Sequence, residues 1–170
     1  MKNKKLRIGI LYSVIFILLV ELDLFTKRIA VLSFSNKPMV LIDKVLEFTY
    51  LENKGAAFSL LNNAQWFFIL ITAIFIVAAI WFFIKIPVDK NYRILRILLL
   101  FIAAGAAGNF IDRLTLGYVR DFIYVSIINF PVFNVADIYI TVAVFILFVY
   151  IIFTKEDFSF LKSERKKDID

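Results

Sequence analysis

Two aspartates, Asp121 and Asp137, have the surroundings that acid–base chemistry needs. Each adjoins an apolar segment, and neither has a basic residue three or four positions away that would neutralise it. Two carboxylates held close together in a low-dielectric site cannot both ionise easily, so one keeps its proton while the other remains a base. Such a pair can activate a water molecule against a peptide carbonyl group and polarise that carbonyl. Arg120 precedes Asp121, but on an extended backbone the two side chains point to opposite faces.

Further polar residues stand at the predicted ends of two apolar helices. Asp23 and Lys27 close the first helix on one helical face, where they can pair. Asn109, Asp112 and Arg113 close the third, and polar groups at membrane depth mark either function or ion pairs that lock helices together. The structural interpretation suits Asp23 with Lys27, and Asp112 with Arg113, better than catalysis does.

Single residues leave both interpretations open. Asp137, which follows Asn134, could simply be a carboxylate that the dipole of the fourth helix favours at its start. Glu21 lies on a different helical face from Asp23 and belongs to no pattern of spaced polar residues.

Four long apolar segments must position these groups. The chain is 62% hydrophobic and only 20% charged, with a mean hydropathy of +0.85. Crossing a hydrocarbon core takes roughly 20 helical residues. The pattern predicts an α-helical integral membrane protein, a four-transmembrane-helix bundle forming one domain over residues 1–170, with helices at about 8–25, 66–84, 95–112 and 137–153. The small residues at 103–108 suit close helix packing, and the β-prone stretch 40–51, before a turn-like segment at 53–59, predicts a small sheet lying on the membrane.

Basic residues predict the orientation of the bundle. Thirteen of the 20 Lys and Arg residues fall in the N-terminal tail, the 85–96 connection and the C-terminal tail. By the positive-inside bias, both termini are cytoplasmic and the connections 26–65 and 113–136 face outward. The basic N-terminal tail precedes an apolar run with no small-residue cleavage pattern, so we expect a retained first helix rather than a removed signal peptide.

Residue types that are absent exclude several kinds of chemistry. The chain has no cysteine and no histidine, which removes disulfides, thiol nucleophiles, imidazole bases and the usual transition-metal ligands. We therefore expect no such metal, and we expect no other cofactor. The net charge is +6, but the basic residues lie mainly beside apolar segments, where they indicate topology and contacts with membrane lipids rather than nucleic-acid binding.

Five short motifs occur in order along the chain: Asp23-Leu-Phe-Thr-Lys27, Asn53-Lys-Gly-Ala-Ala-Phe58, Gly108-Asn-Phe-Ile-Asp-Arg113, Val119-Arg-Asp-Phe-Ile123 and Phe133-Asn-Val-Ala-Asp137. Together they resemble the lipoprotein signal peptidase family, also called signal peptidase II. The resemblance implies an aspartic endopeptidase of the bacterial cytoplasmic membrane that uses no metal and carries a small extracytoplasmic sheet. It implies removal of the signal peptide from diacylglyceryl-modified prolipoproteins, just before the lipidated cysteine, at a site near the extracytoplasmic face. We expect such an enzyme to act as a monomer.

The resemblance also implies roles for individual residues. The catalytic dyad falls on Asp121 and Asp137. The matching positions that shape the pocket or bind substrate are Asp23, Lys27, Asn53, Gly55, Asn109, Asp112, Arg113, Asn134 and Ala136. Two positions depart from the family pattern, because Leu24 stands where glutamine is common and Arg120 where valine is common. These departures leave the substrate preference and the acidity of Asp121 open.

Two other functions compete with this interpretation. One is a Ser/Lys peptidase in which Lys27 or Lys54 activates Ser59 or Ser126, since a buried lysine can serve as a base. The other is a small transporter or channel component that uses the Asp and Arg cluster as an ion relay. The predicted clustering of polar groups at one face disfavours the relay, because it leaves no continuous polar path.

Overall fold

The computed structural model describes residues 2–55 and 65–153. Within these ranges the order of elements is α1 (Lys2–Phe34), β1 (Met39–Ile42), β2 (Leu46–Asn53), α2 (Gln65–Lys85), α3 (Arg93–Leu116), β3 (Val119–Tyr124), a short 3₁₀ helix (Ser126–Ile128) and α4 (Val135–Phe153). All four α-helices are long and apolar enough to cross a membrane. The predicted four-helix membrane protein with a small sheet is therefore confirmed.

Two helices run further than the sequence predicted. The prediction that α1 ends with Asp23 and Lys27 is wrong, because α1 continues to Phe34. Both charged side chains are fully buried, so they are paired inside the bundle and do not terminate the helix. At 33 residues, α1 is about 50 Å long and exceeds the roughly 30 Å of a hydrocarbon core. Similarly, α3 extends past residue 112 to Leu116 and ends at Gly117, whose φ of 79° is the left-handed conformation of a helix cap.

α3 is the central helix of the bundle. It contacts each of the other three helices, and 56% of its most apolar stretch is buried, against 6% for α2. Its small residues allow this: a Cβ atom added at Gly105 would stand 2.5 Å from the carbonyl oxygen of Ala136 in α4. A Cβ atom at Gly108 would overlap the carboxylate of Asp23 in α1. The small-residue tract therefore lets α1 and α4 approach α3 at the level of the polar side chains.

A three-stranded antiparallel sheet covers one end of the bundle, with strand order β1-β2-β3. The predicted sheet in the first long connection is confirmed, and its third strand comes from the connection between α3 and α4. In the pairing of β2 with β3, Leu51 lies opposite Asp121 and Asn53 opposite Val119. The aromatic rings of Phe34 and Phe48 lie 5.2 Å apart and so join the end of α1 to the sheet. The sheet thus holds Asn53 and Asp121 over the ends of α1 and α3.

Candidate active site

Asp137 lies in the first turn of α4, and Asn134 immediately precedes that helix. The backbone N–H of Asn134 donates to Oδ2 of Asp137 at 3.0 Å, and the backbone N–H of Asp137 donates to Oδ1 of Asn134 at 3.0 Å. This is the reciprocal pattern of a capping box, here built from Asn and Asp. Asp137 is therefore a helix-start carboxylate, as one interpretation of the sequence had it. The capping box fixes the orientation of its carboxylate.

Amide side chains connect the carboxylates of Asp121 and Asp137. The Nδ2 group of Asn134 donates to Oδ1 of Asp121 at 2.6 Å and to Oδ1 of Asn109 at 3.1 Å. In turn, Nδ2 of Asn109 donates to Oδ1 of Asp137 at 2.8 Å. A third amide, Nδ2 of Asn53, donates to Oδ2 of Asp121 at 2.8 Å. Strand β3, helix α3 and the start of α4 therefore bring the two carboxylates, called the aspartate pair below, into one hydrogen-bond network.

Asp121 is almost completely buried, with 2% of its surface exposed. Burial and the neighbouring negative charge of Asp137 raise the pKa of Asp121 to about 7, although hydrogen bonds from Asn53 and Asn134 act in the opposite direction. A carboxyl group with this pKa can both hold and release a proton near neutral pH. The prediction that one carboxyl group of a close pair keeps its proton thus has a physical basis in the surroundings of Asp121.

A second group of charges, called the ion-paired cluster below, is formed by Asp23, Lys27, Asp112 and Arg120. The predicted pair of Asp23 and Lys27 is confirmed, with 2.8 Å between Oδ2 and Nζ and both side chains fully buried. Nζ of Lys27 also lies 3.5 Å from Oδ2 of Asp112 and donates to Oδ1 of Asn109 at 2.8 Å. Asn109 therefore connects the ion-paired cluster to the aspartate pair.

The sequence suggested that Asp112 pairs with Arg113, and this prediction is wrong. Adjacent residues of a helix do not face each other, and the carboxylate of Asp112 instead receives the backbone N–H, Nε and NH2 groups of Arg120 at 3.0, 3.2 and 2.6 Å. Burial alone would lower the pKa of the Arg120 guanidinium, but the hydrogen bonds and charge of Asp112 raise it. Arg120 points away from Asp121, as an extended strand requires, and serves as a counter-ion that the sequence did not reveal.

Arg113 occupies a different position, beside the aspartate pair. Its guanidinium lies 5.3 Å from the ring centre of Phe68 in α2 and within electrostatic range of Asp137 and Asp121. Its buried Nε has no hydrogen-bond partner among residues 2–55 and 65–153. Arg113 therefore keeps one hydrogen-bond donor without a partner among the described residues, within electrostatic range of the two carboxylates.

Two small residues of the motifs have geometric roles. The backbone N–H of Ala136 donates to Oδ1 of Asp23 at 2.9 Å, and this contact ties the start of α4 to α1. Ala136 is fully buried, and α3 passes close to its carbonyl oxygen at Gly105. Gly55 donates its backbone N–H to Oδ1 of Asn53 at 3.0 Å and so orients the amide that contacts Asp121. The rest of that motif, residues 56–58, lies outside the described residues, as does Ser59.

Known proteins are similar to this chain in sequence over most of its length. A family model described as Signal peptidase (SPase) II matches residues 15–153. The lipoprotein signal peptidase of Streptococcus agalactiae serotype Ia is 43% identical over 141 residues, which cover 82% of this chain and 90% of the relative. That of Streptococcus pyogenes serotype M5 is 42% identical over 149 residues, which cover 87% and 96%. The chain belongs to the signal peptidase II family.

A solved structure agrees with this membership of the signal peptidase II family. It is described as a bacterial membrane enzyme determined by the in meso method at 2.3 Å resolution, with a TM-score of 0.73 and 30% sequence identity. The match covers 86% of this chain and 93% of that one. As a signal peptidase II family member, the chain is a membrane-bound peptidase, and the transporter interpretation is not favoured.

The contacts of Lys27 and Ser126 in this signal peptidase II family member do not support the Ser/Lys interpretation, and Ser59 lies outside the described residues. Lys27 is surrounded by carboxylate and amide oxygens. The buried Oγ of Ser126 has no hydrogen-bond partner among the described residues, so no lysine there is in place to activate it. The described residues also contain no group of three or more Asp and Glu side chains that could hold a metal ion.

Proposed function

We propose that this chain is an aspartic endopeptidase that removes the signal peptide from diacylglyceryl-modified prolipoproteins, cutting just before the lipidated cysteine. The observation that carries the proposal is the aspartate pair, whose two carboxylates are joined through Asn134 and Asn109. The names of the relatives, lipoprotein signal peptidases, supply the substrate class. All the groups required come from one chain, which supports a monomeric enzyme.

In the proposed reaction, Asp121 carries the proton and Asp137 is the base. The raised pKa of Asp121, caused by burial and by the charge of Asp137, supports this division of roles. Asp137 accepts a proton from a water molecule as the water oxygen attacks the scissile carbonyl carbon, and Asp121 donates its proton to the carbonyl oxygen. Collapse of the tetrahedral intermediate breaks the C–N bond: Asp137 returns its proton to the leaving amine nitrogen, and Asp121 takes back a proton from one hydroxyl of the intermediate as the new carboxyl group forms.

The surrounding residues hold the pair in a fixed geometry. Asn53 and Asn134 each donate to one oxygen of Asp121, and Asn109 and the backbone N–H of Asn134 donate to the two oxygens of Asp137. Such hydrogen bonds fix the carboxylates at the positions where charge develops during the reaction. The available Nε–H of Arg113 would donate to a carbonyl oxygen of the bound substrate.

The decisive experiment compares substrates and variants in one cleavage assay. Purified protein is incubated with a lipid-modified prolipoprotein and with the same protein lacking the lipid, and only the first should be cut. Asp121→Asn and Asp137→Asn preserve size and most hydrogen bonding but cannot transfer the proton, so each should reduce the rate of cleavage by at least about 1,000-fold. Removing one residue of a peptidase catalytic unit typically costs about 10⁴-fold or more in rate. The double variant should be no slower than either single variant, because groups that act as a unit are not additive.

Glu21→Gln is the matched control for these variants. Glu21 is exposed on α1 and belongs to none of the motifs, so this variant should keep its activity. If Asp137→Asn turns over near the normal rate, or if Glu21→Gln is as inactive as Asp121→Asn, the proposed dyad is incorrect. Equal cleavage of both substrates would reject the lipid requirement alone.

We further propose that the enzyme lies in the bacterial cytoplasmic membrane with both termini in the cytoplasm and the sheet outside. The asymmetry of basic residues supports this orientation. Because the chain has no cysteine, single cysteines can report the topology without background. Cysteines at the exposed positions Asn36 and Asn91 should differ, the first reacting with an impermeant thiol reagent added outside intact cells and the second not. The reverse labelling would place the aspartate pair on the cytoplasmic side and remove the proposed function.

A further inference from the structure

A cleft of about 450 Å³ lies at the opposite end of the bundle from the aspartate pair. Its walls are apolar side chains of α1 and α3, including Ile8, Leu11, Ile15, Ile97 and Leu100. Both helices are membrane spans by length and composition, so the apolar walls of the cleft belong to segments that can lie among lipid chains.

One end of the cleft is basic. Lys90, Arg93 and Arg96 line it together with one acidic residue, Asp89. Arg93 opens α3, whose preceding residue Tyr92 provides no side-chain capping hydrogen bond. The amino-terminal end of a helix carries a partial positive charge. Three cationic side chains and a helix amino terminus therefore face a single carboxylate.

Arg96 is the most unusual of these residues, because it is a cation with only 5% of its surface exposed. Its guanidinium donates to the carbonyl oxygens of Pro87 and Asp89 and lies 5.8 Å from the ring centre of Tyr12. These partners are uncharged, and no carboxylate in the described part of the chain forms an ion pair with it. Its buried Nε also lacks a hydrogen-bond partner there. A buried cation that lines a cleft and has no counter-ion among the described residues points to an anionic ligand.

We propose that this cleft binds an anionic phospholipid, with the phosphate at Lys90, Arg93 and Arg96 and one acyl chain along the apolar walls. Basic pockets between transmembrane helices on the cytoplasmic side favour anionic headgroups. A soluble phosphate would meet the same cations but would leave the apolar walls of the cleft unused. The ligand that fits both parts of the cleft is therefore a lipid of the surrounding membrane.

The test uses the full chain, delipidated in a neutral detergent. Binding of phosphatidylglycerol is compared with binding of phosphatidylcholine that carries the same acyl chains, and glycerol phosphate is added as a soluble competitor. Phosphatidylglycerol should bind at least about tenfold more tightly than phosphatidylcholine, since each basic residue near the headgroup contributes to anionic-lipid affinity. Glycerol phosphate should not displace it at comparable concentrations.

Two double variants test whether the lipid preference comes from the cleft itself or from the general positive charge at this end of the bundle. Lys90→Gln with Arg93→Gln removes two exposed cleft residues and should abolish the preference for phosphatidylglycerol. Lys5→Gln with Lys85→Gln removes the same charge from outside the cleft lining and should retain the preference. Equal binding of the two lipids, equal loss in both double variants, or displacement by glycerol phosphate would each overturn the proposal. Because none of the four residues contacts the aspartate pair, the outcome is independent of the cleavage assay.

Discussion

The aspartate pair and the ion-paired cluster use the same residue type in two different ways. Asp23 and Asp112 of the ion-paired cluster are fully buried and each is matched by a cation. Asp121 and Asp137 receive amide hydrogen bonds instead, and no described Lys or Arg forms an ion pair with either carboxylate. A neighbouring cation favours the charged form of a buried carboxylate, whereas Asp121 has only uncharged amides as direct hydrogen-bond partners. The partner of each aspartate therefore separates a structural carboxylate from a chemically usable one.

The two regions are also physically coupled. Oδ1 of Asn109 accepts hydrogen bonds from both Lys27 and Asn134, while Nδ2 of Asn109 contacts Asp137. The positive charge of Lys27 thus orients the amide that holds one member of the aspartate pair. This coupling means that the ion-paired cluster supports catalysis without donating or accepting the transferred proton.

The largest effect on stability should follow from removing the cation shared by the ion-paired cluster. Lys27→Met leaves Asp23 without its cation and Asp112 with Arg120 alone, and breaking a buried pair in this way costs about 3–5 kcal/mol. Thermal unfolding in detergent micelles measures the loss. The control is Arg28→Met, which removes the same charge from the exposed neighbouring position and should change stability little. Arg120→Val should cost less than Lys27→Met, because Lys27 still neutralises Asp112.

If Lys27→Met and Arg28→Met have equal stability, the buried charges do not depend on one another and the distinction between the two regions fails.

A pH-dependent effect on stability should follow from the raised pKa of Asp121. The pKa of Asp121 is about 7 in the folded protein, against an ordinary aspartate value of 3.8. Between these values the folded state binds more protons than the unfolded state, so stability should fall as pH rises from about 4 to about 7, by at most about 4 kcal/mol. Unfolding measured across this range should show the slope, and Asp121→Asn should reduce it. An unchanged slope in Asp121→Asn would assign the titration to another group.

The same titration affects catalysis. Because Asp121 must carry the proton in the proposed reaction, the rate of cleavage should decline above about pH 7, approaching tenfold per pH unit once Asp121 is mostly ionised.

The smallest effect should come from one methyl group placed against the ion-paired cluster. Gly108→Ala introduces a Cβ atom that overlaps the carboxylate of Asp23, and overpacking of this kind costs about 1–3 kcal/mol. Gly9→Ala is the matched control, since nothing lies within 4 Å of its added Cβ atom. That variant should be neutral or slightly more stable, because alanine favours helix by up to about 1 kcal/mol. Equal unfolding temperatures for the two variants would show that α1 and α3 are not in close contact at Gly108.

Much of this architecture could be predicted from composition and spacing. The apolar runs predicted the four helices, because a helix satisfies all the backbone polar groups of a long apolar segment in lipid within the segment itself. The motif around Asn134 and Asp137 is local as well, since a capping box forms between residues three positions apart. The apolar surroundings of Asp121 and Asp137 suggested that they form a pair, and the resemblance to a known family strengthened this choice. Spacing alone could not decide it, because the two residues lie on different elements.

The sequence by itself thus determined the membrane class, the helices and the residues able to carry a proton, through hydropathy and through hydrogen bonds between near neighbours. Tertiary structure decided the length of α1 and the partner of each charge. Asp112 forms its ion pair with a strand residue, Arg120, rather than with its helical neighbour Arg113. Lys27 lies between two carboxylates, Asp23 and Asp112, which belong to different helices. Such pairings depend on which elements meet in space. Electrostatic energy depends on distance and burial, and neither quantity is encoded in the spacing of residues along the chain.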